Sequence, residues 1–180
     1  MVCNIRKGKH MDLITALAIV IGVMGAIATF VAVQLGSAYV LIWAIFIGWG
    51  CYYHCGGLEA GIKASIPANV WGAICAAVAL IVLLAMGVTA LNAGICVGVT
   101  VVILILGAKV PALAAIPAAV YGYASTAALF LHGGTGYGEG TGGVVKVAVA
   151  VIISMIIGNI LGFVSQKIAS ALVKTKAVAT

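Results

Sequence analysis

Charged side chains are scarce in this chain of 180 residues. Lys and Arg together number nine, Asp and Glu number three, and 65% of the residues are hydrophobic. Soluble domains are about 25% charged and about 45–50% apolar, so the composition excludes an ordinary soluble fold. The basic residues flank apolar runs, where they orient a chain in a membrane and contact anionic headgroups. The net charge of +6 therefore indicates the lipid bilayer as a partner and gives no support for nucleic-acid binding.

Ionisable residues are also missing from the middle of every long apolar run. The internal ones fall at the ends of runs or between them, namely Asp12, Glu59, Lys63, Lys109, Glu139 and Lys146. Ion-coupled carriers generally place ionisable groups inside the membrane, so a proton- or sodium-driven pump is disfavoured. The two internal histidines fall on opposite sides of the predicted membrane and neither has a nucleophile or carboxylate at useful spacing, so the sequence predicts no enzyme.

Six apolar runs fill most of the chain. A membrane-spanning helix needs about 20 apolar residues, and the runs cover residues 13–33, 39–53, 66–86, 90–106, 111–131 and 144–163. We predict an all-α, polytopic helical bundle of six transmembrane helices. Its parts are a basic N-terminus (1–12), a membrane domain (13–165) and a basic tail (166–180). The connection at 54–63 is a polar interruption that could form a short interfacial or re-entrant helix, and the Gly- and Thr-rich residues 132–143 predict a flexible surface loop.

The basic residues predict the orientation. With the N-terminus inside, eight of the nine Lys and Arg residues fall on the cytoplasmic side, and Lys146 alone falls on the other. Such a bias in short loops is the pattern of the positive-inside rule. Both termini are therefore predicted to be cytoplasmic.

Two seven-residue segments nearly repeat each other. IPANVWG at 66–72 and IPAAVYG at 116–122 share five residues, and each copy places a proline at the start of or within an apolar run. Both predicted helices run outward, so the similarity suggests a parallel repeat that relates the hairpin of spans three and four to that of spans five and six. Chance similarity in a chain rich in Ala, Val, Ile and Gly is the alternative.

These segments supply the candidate solute path. Pro67, Trp71 and Cys75 have helical i, i+4, i+8 spacing, as do Pro117, Tyr121 and Ser125, so each set lies along one helix face. Such faces suit a passive channel or permease for a small neutral solute, with Pro67, Asn69, Trp71, Pro117, Tyr121, Ser125 and Asn159 as the candidate path residues. The alternative is that these residues only pack helices and form interhelical hydrogen bonds. The protein would then be a non-transporting accessory or structural membrane protein.

Two other patterns bear on ligands and assembly. Cys51, His54 and Cys55 lie close together, but the sequence offers no fourth ligand, so we predict no metal and no cofactor. The pairs Gly94/Gly98 and Gly158/Gly162 are small-xxx-small motifs, which allow close helix approach. They predict a homo-oligomer.

The chain resembles the YcdZ-like family of small bacterial inner-membrane proteins, whose function is unknown. The resemblance covers roughly residues 13–168 and rests on VAVQLG at 31–36, WAIFIG at 43–48, HCGG at 54–57 followed by Gly61 and Lys63, NVWG at 69–72, Pro117 with Gly122, and Gly158, Gly162 and Ser165. It implies a bacterial inner-membrane location. It implies no substrate and no catalytic residues.

Overall fold

The computed structural model describes residues 11–36, 40–132 and 134–178. In this part of the chain it contains no strand and six α-helices: α1 (Leu13–Leu35), α2 (Ile42–His54), α3 (Leu58–Met86), α4 (Ala90–Leu106), α5 (Ile116–His132) and α6 (Gly140–Val178). Short 3-10 turns occupy Gly107–Lys109, Pro111–Leu113 and Gly134–Tyr137. The predicted all-α fold is confirmed. The basic residues Arg6, Lys7, Lys9 and His10, and the predicted start of span two at Tyr39, lie outside the described residues.

Four of the helical segments are long and apolar enough to cross a membrane. They are Leu13–Leu35, Leu58–Met86, Ala90–Lys109 and Gly140–Val173. Helices α2 and α5 have 13 and 17 residues, which is about 20 and 25 Å at 1.5 Å per residue. Both are shorter than the roughly 30 Å hydrocarbon core of a bilayer. Helix α4 also has 17 residues but is extended to 20 by the 3-10 turn Gly107–Lys109 that follows it directly. With that extension, the molecule combines four long helical segments with two short helices.

The helix ends follow local chemistry. The Asp12 carboxylate accepts a hydrogen bond from the Thr15 amide (3.0 Å) at the start of α1, and its hydrogen bonds with Thr15 hold the pKa of Asp12 below its usual value. Thr89 caps α4 in the same way, accepting from the Asn92 amide (3.2 Å). Gly36 and Gly87 follow α1 and α3 with positive φ, a conformation that glycine adopts without a steric cost.

Helix α3 begins eight residues earlier than the sequence predicted. The connection between α2 and α3 is residues 55–57, where Gly57 has φ +67°, and the polar residues after it are already helical. Lys63 pairs with Glu59 one turn earlier (3.5 Å) on an exposed helix face, so this charged stretch is the first turns of α3. Pro67 lies inside the helix, which continues through it to Met86.

The segment predicted as a flexible surface loop is shorter and partly packed. Residues 134–137 form a 3-10 turn and α6 starts at Gly140. Tyr137 is buried in an apolar cluster with Leu41, Val147 and Met155, so the prediction that residues 132–143 lie wholly on the surface is wrong. Composition misleads here because one aromatic side chain anchors an otherwise small-residue turn. The predicted tail is also helical, since α6 continues to Val178.

Helices α3 and α6 form the centre of the molecule. They pack against each other, α3 also packs against α4 and α5, and α6 also packs against α1 and α2. Two of these contacts bring backbones together through glycine. A Cβ on Gly72 would overlap the carbonyl of Ala119, and a Cβ on Gly158 would overlap that of Ile45. These α3–α5 and α6–α2 crossings are the tightest helix contacts in the core.

Candidate functional site

A buried polar network joins the two central helices. The Asn159 side chain on α6 donates to the Asn69 Oδ1 on α3 (3.0 Å) and to the Met155 carbonyl (2.8 Å). Its own oxygen accepts a short hydrogen bond from Ser65. Asn69 in turn donates to the Ala118 carbonyl on α5 (2.8 Å) and contacts the Cys51 sulfur on α2 (3.4 Å). One network thus connects four helices.

This network is fully hydrogen-bonded. Among the described residues, no buried side-chain nitrogen or oxygen is without a partner, and Asn69 and Asn159 are 2% and 0% exposed. Polar groups satisfied in this way hold helices together and offer little free bonding capacity to a solute. The network is therefore first of all structural.

A cleft lies between the two short helices and has a volume of about 530 Å³. Binding sites for small molecules commonly enclose about 300–1,000 Å³. Its walls are mainly apolar, with a few polar groups, and none of its lining residues is Asp, Glu, Lys or Arg. The cleft is lined by Phe46, Ile47, Gly50, Cys51 and His54 of α2 and by Tyr121, Ala124 and Ser125 of α5.

The cleft has a buried floor, a bonded end and an open rim. Cys51 and Ser125 are 1% and 4% exposed and lie at its floor. At one end the His54 Nδ1 and the Tyr121 hydroxyl are hydrogen-bonded across the gap (3.0 Å). Phe46 is 45% exposed and forms part of the rim, on surface that lipid or another chain would cover. The arrangement can hold an uncharged molecule with a hydrogen-bonding group.

Each short helix begins beside the middle of a long one. The amide of Leu41, which precedes α2, donates to the Ser154 hydroxyl (2.9 Å), and Ser154 lies fourteen residues into α6. The Ala118 carbonyl, in the first turn of α5, accepts from Asn69, which lies eleven residues into α3. Neither helix therefore starts level with the ends of its long neighbour.

The structure places the predicted path residues in different parts of the molecule. Tyr121 and Ser125 line the cleft, while Asn69 and Asn159 belong to the buried network. Trp71 points to α4, where its Nε1 donates to the Leu104 carbonyl (3.2 Å). The two prolines line neither feature, since Pro67 lies within α3 and the exposed Pro117 is the second residue of α5.

Sequence reasoning missed most of the α2 wall. Phe46, Ile47 and Gly50 carry no polar or periodic signal that separates a cleft from a lipid-facing surface. The signal that could have found this wall was the length of the spans, because two short apolar segments in corresponding halves of a membrane protein point to a binding site. Span two was the shortest of the predicted runs, but the predicted span five (111–131) was among the longest, so only half of this signal was present in the sequence.

The structure also locates the cysteine cluster and the two small-xxx-small motifs. No three His, Cys, Asp or Glu side chains converge on a metal position in the part of the chain described. Gly158 and Gly162 are used internally, against Ile45 and Tyr52 of α2. Gly94 and Gly98 are exposed on α4 with open space beside them.

Long apolar helices, exposed apolar side chains on their outer faces and a polar network in the centre define a membrane-embedded α-helical protein. The chain belongs to a family of proteins of unknown function, DUF1097, whose model matches residues 18–170. No curated protein and no solved structure matches it.

Proposed function

We propose that this protein is a passive channel or permease for a small uncharged solute. The observation that supports the proposal is the cleft between α2 and α5, two short helices that each begin beside the middle of a long one. Membrane transporters place their solute sites between such interrupted or shortened helices. The two short helices also leave less apolar length to cross there than the four long ones do.

The chemistry of the cleft supports an uncharged solute of moderate polarity. His54, Tyr121 and Ser125 supply hydrogen-bonding groups, while Phe46 and Ile47 supply apolar surface. No carboxylate or ammonium group lines the cleft, so a fully charged solute would lose its hydration without a counter-ion. Candidate solutes are therefore urea, glycerol, ammonia and the protonated forms of short-chain acids.

Liposome swelling tests the proposal. Wild-type protein in liposomes should raise the permeation rate of at least one of these solutes several-fold above that of empty liposomes. Gly50→Trp should bring the rate back toward the empty-liposome value, because Gly50 lines the cleft and has open space beside it for a large side chain.

Gly22→Trp is the matched control. Gly22 is also an exposed helical glycine with open space beside it, but it lies on α1, away from the cleft, so its rate should equal that of the wild type. Folded wild-type protein that leaves every solute at the empty-liposome rate would retire the transport proposal.

A non-transporting accessory or structural role is the second candidate. The observation that favours it is the buried network of Asn69 and Asn159, whose hydrogen-bonding groups are all used between helices. In that case Gly50→Trp and Gly22→Trp should be alike in stability, and neither form should conduct.

For location, we propose a bacterial inner membrane with both termini cytoplasmic, as the basic residues and the family resemblance predict. We also propose a homo-oligomer, with the exposed Gly94/Gly98 face of α4 as the contact between copies. Mass measurement in mild detergent tests the assembly, and a monomer under all conditions would count against it.

A further inference from the structure

The helix contacts have an internal symmetry. Suppose that α1 corresponds to α4, α2 to α5, and α3 to α6. The α2–α6 contact then corresponds to the α5–α3 contact, and the α1–α6 contact to the α4–α3 contact, and the structure contains all four contacts. The contacts between α3 and α6, and between α2 and α5, map onto themselves.

The glycine crossings give this exchange a residue register. At the α3–α5 crossing, Gly72 meets Ala119 and Gly122 meets Asn69. At the α6–α2 crossing, the corresponding contacts are Gly158 with Ile45 and Gly48 with Met155. Asn69 and Gly72 therefore correspond to Met155 and Gly158, a common shift of 86 residues. Ile45 and Gly48 correspond to Ala119 and Gly122, a common shift of 74.

The residues that line the cleft follow the same register, although the register was defined from the glycine crossings alone. The shift of 74 converts Ile47, Gly50 and Cys51 into Tyr121, Ala124 and Ser125, and all six residues line the cleft. The cleft therefore lies on the two-fold axis that relates the two halves.

The two halves have opposite directions. Ser65 of α3 bonds Asn159 of α6, and Leu58, seven residues earlier, bonds Gln166, seven residues later. Helices α3 and α6 are thus antiparallel, as an inverted repeat of three helices requires, with its axis in the membrane plane. This differs from the parallel hairpin repeat that the sequence suggested, since the similar segments at 66–72 and 116–122 lie in α3 and α5, which pack against each other.

The repeats exchange helices, so the packed units differ from the sequence halves. We define the first body as α1, α2 and α6, and the second body as α3, α4 and α5. The four glycine crossings that set the register lie within a body, whereas hydrogen bonds such as Asn159–Asn69 and His54–Tyr121 join one body to the other. One close glycine approach also joins the bodies, where Gly61 of α3 lies against the Tyr52 carbonyl of α2. Helices packed through the four crossings move together, while single side-chain bonds between the bodies can break and re-form.

We infer that the α2–α5 cleft is the solute site of an inverted-repeat protein and that its two ends open in turn as the bodies rock about α3 and α6. The inference rests on the proposed function for its solute, a small uncharged molecule with one hydrogen-bonding group. Inverted-repeat transporters expose a site on the repeat axis to each face in turn.

One pair of residues breaks the symmetry and closes one end. The His54–Tyr121 hydrogen bond spans the bodies at the end of the cleft nearer the face where α1 begins. The two-fold related residues are Ala128 and Ile47, whose side chains cannot form such a bond. We call His54–Tyr121 the latch, and the present structure is the state in which the latch end is closed.

Thiol labelling tests this inference without requiring flux. Gly50→Cys and Ala124→Cys are two-fold related reporters in the cleft, placed one at a time in a chain whose native cysteines are replaced, with folding checked by melting. A membrane-impermeant maleimide is applied to each face separately. The quantity compared is the labelling rate of Gly50→Cys from the latch face divided by the labelling rate of Ala124→Cys from the other face. Tyr121→Phe removes one hydrogen bond across the latch and should raise this ratio about fivefold.

Tyr123→Phe is the matched control, because the Tyr123 hydroxyl bonds Thr100 of α4 within the second body (2.9 Å). It should leave the ratio unchanged. If Tyr121→Phe does not fold, His54→Ala removes the same latch bond from the other side. An unchanged ratio with the latch removed, or a parallel rise of both rates, overturns the inference.

The two proposals can fail separately. A ratio that responds to the latch while no solute permeates the liposomes leaves the rocking bodies in place and removes the transport function. If a solute permeates but the labelling ratio does not change when the latch is removed, the transport function stands and the rocking of the two bodies is overturned.

Discussion

Asn159 is the residue on which the centre of the molecule depends most. It is fully buried and bonds two side chains of α3 as well as its own helix. The sequence singled it out because a polar residue stood deep in an apolar run between two glycines. It could not name Ser65 and Asn69 as the partners, since those contacts depend on the antiparallel register of α3 and α6.

A double-mutant cycle on Asn69→Ala and Asn159→Ala should give a coupling free energy of about 0.6–1.7 kcal/mol, the range for interhelical hydrogen bonds in membrane proteins. The measurement is reversible unfolding in mixed detergent micelles. Thr126→Ala supplies the control, because the buried Thr126 hydroxyl bonds only the Gly122 carbonyl of its own helix among the contacts described. A coupling as large between Thr126 and Asn159 as between the two asparagines would show that the assay reports general loosening.

The sequence predicted only part of the residues that line the candidate site. Tyr121 and Ser125 were found because helical spacing put them on one face with a proline. Trp71 looked equivalent to Tyr121 in the repeated segment, yet it bonds α4 while Tyr121 bonds α2. Equal positions in a repeat have equal surroundings only if the repeat is also structural, and here α3 and α5 play different parts in the fold.

Among the helices, the sequence located α4 at both ends and α1 at its start, because the apolar runs begin or end at those residues. The structure adds that Asp12 and Thr89 cap the two helix starts. It missed the start of α3 because Glu59 and Lys63 resemble a loop in a chain with so few charges. The positions of α2 and α5 beside the middle of α6 and α3 were beyond its reach. Those positions are set by tertiary contacts such as Leu41 with Ser154.

The glycine crossings give the prediction that belongs to the element scale. Gly72→Ala and Gly158→Ala should each lower the free energy of unfolding by about 1–3 kcal/mol or more, because a Cβ at either position meets backbone that cannot move aside alone. Gly98→Ala should change it by less than about 0.5 kcal/mol, since the space beside Gly98 is open. Thermal melting in one detergent compares all three variants. Equal losses for buried and open glycines would contradict the crossings and the register drawn from them.

For the whole molecule, the sequence established the class of protein more firmly than its internal organisation. Composition alone excluded a soluble fold, and apolar runs gave six helices. The inverted relation between the halves leaves only scattered identities, such as Gly48 with Gly122 and Gly72 with Gly158, and the more obvious similarity at 66–72 and 116–122 points to a different repeat. The inverted relation lies in which helices touch and at which glycines, so only coordinates reveal it.

We predict the orientation of the molecule from the positions of its basic residues in this topology. By connectivity, Lys63, Lys109 and Lys167 lie toward the face where α1 begins, whereas Lys146 lies near the start of α6 at the opposite face. The positive-inside rule then predicts that the latch face is cytoplasmic. Two exposed positions test this: Glu139→Cys, just before α6, and Lys63→Cys, in the exposed second turn of α3. Glu139 is exposed and so suits labelling better than the nearby Tyr137, which is buried.

In intact cells or right-side-out vesicles, an impermeant maleimide should modify Glu139→Cys at least about tenfold faster than Lys63→Cys, and opening the membrane should make the two rates similar. The factor reflects the barrier that an intact bilayer presents to a charged reagent. Inside-out vesicles should reverse the order. Rapid labelling of Lys63→Cys from outside would invert the topology and make the latch face periplasmic. Equal labelling of both sites from either side would mean that the chain inserts in both orientations, an outcome that its one-sided distribution of basic residues opposes.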